Sequence, residues 1–133
     1  MGAWGFGPFE NDDACDWLGD LDESSDASAI EAAFSVISDL DDEELEAPEC
    51  SNAIAAAEVV AALRGHPLAD LPEEAKAWVE EHAGLDVSTL IPTAQDVIRR
   101  IRTNSELSDL WDETKEPVKW YSTLDDLETR LTD

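Results

Sequence analysis

Carboxylates are the groups with the most chemistry to offer in this chain. Asp12-Asp13-Ala14-Cys15-Asp16 reads Asp-Asp-x-x-Asp, the spacing by which helical prenyl-diphosphate enzymes hold magnesium. Those enzymes also need basic residues for the diphosphate and a cavity far larger than this chain can wall, and no base lies nearby in sequence. Near the other end stand Asp112 and Glu113. Convergence of Asp12, Asp13, Asp16, Asp112 and Glu113 would make a cation or ligand site. Asp20, Asp22, Ser24, Asp26, Ser28 and Glu31 fall at the ligand positions of a twelve-residue calcium loop. The sixth position of that loop, where the chain must turn sharply, is Ser25 rather than glycine. Glu31 also suits a capping box with Ser28, so the loop is a weak calcium candidate.

Other reaction chemistries find less. Gly2, Gly5 and Gly7 read G-x-x-G-x-G with no strand before them, which is no dinucleotide fingerprint, and no G-K-[ST] occurs. His66 and His82 are the only histidines and neither stands in a zinc or di-iron motif. Cys15 has acidic neighbours, which suppress a thiolate, and no serine sits in a G-x-S-x-G elbow. No cofactor and no catalytic residue is expected.

Charge bounds the partners. The chain has 133 residues with 33 acids and 8 bases, a net charge of −25, and no Lys or Arg precedes Arg64. Such a field repels nucleic acid and anionic membranes and attracts cations or basic proteins. With 43% hydrophobic residues the chain still has the material for a core. The sole basic patch, Arg99-Arg100-Ile101-Arg102, is expected to pair with the protein's own acids or with an acidic patch on another copy. Cys15 and Cys50 form no disulfide framework, and no secretory or membrane-spanning stretch is read, so the expected location is cytoplasmic.

The elements that must position these groups are helices. Asn11 is the expected N-cap of a first helix carrying Ala14, Trp17, Leu18 and Leu21 on one face. A second is expected from the Ser28/Glu31 capping box, with Ile30, Ala33, Phe34 and Ile37 as its stripe. Pro48 opens a third, rich in alanine and apolar around most of its circumference to Arg64-Gly65, as a central helix would be. Further helices are expected from Pro72, from Thr89 or Ile91, from Asn104 or Ser105, and from a Ser122/Asp125 capping box. The expected fold is all-α: one domain over residues 1–133, about six to seven short helices around the alanine-rich one. Residues 1–10 are expected to form a glycine and aromatic strap in which Trp4, Phe6 and Phe9 tuck into the core.

With those residues set out, the chain resembles an uncharacterised bacterial group, the domain-of-unknown-function family 4259. MGAWGFGPFENDDACDWL is similar to its opening signature, LEAPECSNAIAAAEVVAAL to its entry into an alanine-rich helix, and SELSDLWDE with KWYSTLDDLETRL to its closing motif. Gly2, Trp4, Gly5, Phe9, Asn11, Asp12, Asp13 and Trp17 match the first motif, and Leu110, Trp111, Asp112 and Glu113 the last. The resemblance implies a shared fold and carries no activity. A structural account has the two ends packed together with their aromatics interlocked.

Three functions fit. The leading one is a non-enzymatic protein-binding module, inhibitor or immunity-like, for a basic partner. The second is a small metal-dependent enzyme or cation-binding protein using the N-terminal carboxylates. The third is a salt-adapted soluble protein whose charge has no partner.

Overall fold

In a computed structural model, the residues described are 9, 11–24, 26–39, 45–68, 71–103, 105–115 and 117–132. Among them lie seven helices: α1 (Asp12–Asp22), α2 (Ser28–Ser38), α3 (Ala47–Leu63), α4 (Glu73–Glu81), α5 (Ile91–Thr103), α6 (Glu106–Asp112) and α7 (Pro117–Thr132). A single 3-10 turn, Ser88–Leu90, leads into α5.

The alanine content of α3 decides the architecture. From Ala53 to Ala62 every residue is buried, and α3 packs on each of the other six helices. Small side chains let neighbouring backbones approach from all sides, and so a helix without a polar face can be surrounded. The remaining helices are amphipathic and turn one stripe toward it. Leu18 and Leu21 of α1, Phe34 and Ile37 of α2, Ile98 and Ile101 of α5, and Leu124, Leu127 and Leu131 of α7 are all buried. This is the all-α bundle around a central helix that the residue pattern predicts.

Local chemistry sets most of the ends. Asn11 caps α1, its Oδ1 accepting from the Ala14 N–H at 2.8 Å, with Asp12 and Asp13 in the first turn. Ser105 caps α6 in a reciprocal box with Ser108. At the C-terminus of α3 the His66 N–H donates to the Ala61 carbonyl and the Gly65 N–H to the Ala62 carbonyl, the two bonds of a Schellman motif. Gly65 supplies the φ of +92° that this closure requires. A Cβ there meets no atom within 4 Å, so Gly65→Ala is strained through its backbone alone. It should cost about 1–2 kcal/mol in urea unfolding; an unchanged midpoint would show that the turn relaxes freely.

Two expected starts are corrected. Helix α2 has Ala27, not Ser28, as its N-cap, because the Asp26 carboxylate accepts from the Ser28 N–H at 2.9 Å and meets that orphan donor first. Helix α7 begins at Pro117, not Ser122, since proline suits the first turn and burial of Trp120 extends the stripe of Leu124 and Leu127 by one turn. Of the strap, Phe9 is buried in the core and its carbonyl accepts from the Cys15 thiol at 3.5 Å. Gly2, Trp4, Gly5 and Phe6 lie outside the described residues.

Candidate functional site

The carboxylates singled out in sequence occupy two parts of the bundle. Asp12, Asp13 and Asp16 start α1, which packs on α2, α3 and α4. Asp112 and Glu113 end α6, which packs on α3, α5 and α7. Phe9, Trp17 and Trp120 belong to the same hydrophobic core, and Trp111 packs against it. Trp17 is buried on α1, while Trp111 stacks on Trp120 with ring centroids 6.3 Å apart and planes 10° apart. Asp112 accepts from the Tyr121 hydroxyl at 3.0 Å, and Glu113 closes α6 as its C-cap. Partial desolvation and then Asp112 raise the Tyr121 phenol above its usual range.

The calcium-loop spacing does not become a loop. Asp20 and Asp22 are still inside α1, and Ser28 and Glu31 already inside α2, so residues 23–27 alone connect the helices. Within that connection the Ser24 hydroxyl donates to the Asp26 carbonyl at 2.9 Å, and Ser28 holds the Asp26 carboxyl below its usual range through side-chain and backbone hydrogen bonds. Among the described residues no three of His, Cys, Asp and Glu are grouped as a metal ion would require.

The bases lie elsewhere. Arg99 pairs with Asp96 at 2.9 Å, and Arg102 reaches Asp125 at 2.6 Å and Glu128 at 2.9 Å from α5 across to α7. These two follow the expected pairing with the protein's own acids. Arg100 donates to the Ile37 carbonyl at 2.6 Å, one of the last carbonyls of α2. Arg130 on α7 makes a bidentate pair with the fully buried Glu58, at 2.6 and 3.0 Å, and a further pair with Asp126. Burial raises the Glu58 carboxyl above its usual range, with Arg130 opposing. Sequence reasoning missed this pair; its one signal was a lone acid inside the buried alanine-rich run of α3.

Helices α1 and α2 expose Asp12, Asp16, Asp20, Asp22 and Glu31, and neither helix carries a base. A groove of about 250 Å³ runs between these helices and α3. Its apolar lining includes Trp17 of α1 and Ala32 and Val36 of α2, and Asp20, Glu49 and Asn52 supply polar groups. Val36 is 43% exposed, large for a valine on a packed helix. The groove adjoins a shallower depression where Asp20, Glu23 and Asp26 meet. Trp17 and Asp20 were named from sequence; Glu49 and Asn52 were not. Both are polar positions, three apart, in the first turns of a helix that from Ala53 to Leu63 is apolar except at Glu58.

The two thiols are unequal. Cys15 is exposed, and partial desolvation followed by Asp12, Glu74 and Asp16 raises its pKa. Burial pushes Cys50 up from its ordinary 9.0 to about 12. In the folded protein at about pH 8, iodoacetamide should label Cys15 more slowly than free cysteine, and Cys50 only through unfolding. Because the folded value of Cys50 exceeds the unfolded one, its contribution to stability is complete below pH 9.0 and is lost as pH rises toward about 12. Cys50→Ala should flatten that alkaline limb; prompt labelling of both thiols would contradict the burial.

A family model described as Domain of unknown function (DUF4259) matches residues 2–123. No curated protein and no solved structure matches. Among the described residues no helix is long and apolar enough to cross a membrane.

Proposed function

We propose that this chain, which belongs to the DUF4259 family, is a cytoplasmic, non-enzymatic binding module whose α1–α2 face docks a basic protein, in the manner of an inhibitor or immunity protein. One observation carries the reading. Among the described residues, the ion pairs of Lys76, Arg99, Arg102 and Arg130 take Glu73, Asp96, Asp125, Glu128, Glu58 and Asp126, and of these acids Glu58 alone precedes Arg64. Helices α1 and α2 expose Asp12, Asp16, Asp20, Asp22 and Glu31 and contain no Lys or Arg, whereas α5 and α7 mix both signs. Such a one-signed surface steers oppositely charged partners and raises association rates roughly 10- to 1,000-fold.

The immobilised chain should retain a basic protein from its native cytosol at about 0.15 M salt and release it at about 1 M, where screening shortens the range of the field. Neutralising α1 and α2 with Asp16→Asn, Asp20→Asn and Glu31→Gln should slow association about tenfold or more. The same charge change on α4 and α6, with Glu80→Gln, Glu81→Gln and Glu113→Gln, should have much less effect. Equal losses in both variants, or no salt-sensitive partner, would refute the reading.

A further inference from the structure

From the groove between α1, α2 and α3 we infer an anchor pocket for a single lysine side chain of the docked protein, an inference that rests on the α1–α2 face being the docking surface. Three features of the groove specify that occupant. Its volume, about 250 Å³, lies below the roughly 300–1,000 Å³ of sites for drug-sized ligands and cofactors, and so it suits a side chain. Trp17, Ala32 and Val36 give it apolar walls that match an aliphatic stem.

The third feature concerns hydrogen bonding. Glu49 Oε2 and Asn52 Oδ1 are buried and have no hydrogen-bond partner, and both residues line the α3 side of the groove. Buried acceptors without donors are costly, and native proteins keep few of them. Both orphans are acceptors, so what they lack is a donor. Each ends in a soft terminal torsion, which turns the oxygen toward the groove at little expense. Asp20 adds a carboxylate at the rim. An ammonium has three donors around one centre and serves acceptors on two residues one helical turn apart. A guanidinium fork instead fits one carboxylate edge to edge.

Titration followed by two-dimensional NMR tests the assignment, with the short peptide acetyl-Gly-Lys-Gly-amide as probe. Saturable shifts should appear at the Trp17 indole, the Ala32 methyl and the Asn52 side-chain amide, with Kd on the order of millimolar for so small a ligand. Glu49→Gln should weaken binding about tenfold or more, and so should replacing the lysine by norleucine. Ala32→Trp, at an exposed wall position, should fill the groove and abolish the shifts while the circular dichroism stays native. No saturable shift, equal binding of norleucine, or tighter binding of arginine would overturn the lysine pocket. Tighter binding of free pentylamine than of the peptide would overturn its role as a protein anchor. The two readings fail separately. A salt-sensitive partner held equally well by wild type and Ala32→Trp removes the pocket and keeps the docking face. Saturable peptide binding without any salt-sensitive partner removes the face and leaves a lysine site.

Discussion

Replacing Glu58 alone by leucine should cost about 3–5 kcal/mol. The carboxylate is fully buried in α3, and both of its oxygens are taken by the Arg130 guanidinium. Arg130 itself keeps 13% of its side chain exposed and also donates to the His66 carbonyl just past the Schellman turn. One side chain thus joins the middle of α3, its C-terminal turn and the last helix. Removing Glu58 leaves a mostly buried cation with Asp126 as its remaining carboxylate partner. Replacing both partners, Glu58→Leu with Arg130→Met, should recover much of the loss, since a buried pair carries a desolvation cost that an apolar pair of similar volume avoids. Urea midpoints of the two variants decide it. A double variant as unstable as Glu58→Leu would mean that the bridge contributes through geometry an apolar contact cannot replace.

Trp78→Ala should cost a similar amount, about 3–5 kcal/mol, by a different route. Trp78 is 2% exposed, and its ring stacks on His82 with centroids 4.1 Å apart. Its Nε1–H donates to the Ser24 carbonyl at 3.0 Å, which fastens α4 to the connection between α1 and α2. Truncation opens a cavity, exposes the stacked imidazole and frees the segment at the acidic end of the groove. Trp78→Phe keeps most of the packing and loses the hydrogen bond, and so it should cost about 1 kcal/mol from that bond plus the volume difference. Thermal melts rank the two. An alanine variant within about 1 kcal/mol of wild type would show that α4 is held from elsewhere.

The helices were legible because their signals are local. Apolar residues three and four apart predict the faces of α1, α2 and α5, and the breadth of the apolar run in α3 predicts its central place. Caps that act within one turn, at Asn11 and Ser105, were readable for the same reason. The errors were also local ones. Ser28 and Ser122 both fit a capping box, but a nearer acceptor, Asp26, took the first helix start, and tertiary burial of Trp120 moved the second.

The site was legible only in fragments. Composition left the carboxylates of the first half without bases, since all eight Lys and Arg fall at or after Arg64, and periodicity put Trp17 on an inner face. Glu49 and Asn52 looked like ordinary first-turn residues until α1 and α2 closed over them. Sequence alone determined the helical class, the central helix, the acidity and its segregation along the chain, because each depends on residue type and spacing within a turn or two. Tertiary structure alone decided that Arg130 neutralises an acid 72 positions away, that Asp112 turns to Tyr121, and that α1, α2 and α3 together line a groove with two donor-less oxygens. Those contacts join side chains remote in the chain, and how amphipathic cylinders rotate and cross when they pack is not encoded in any one stretch.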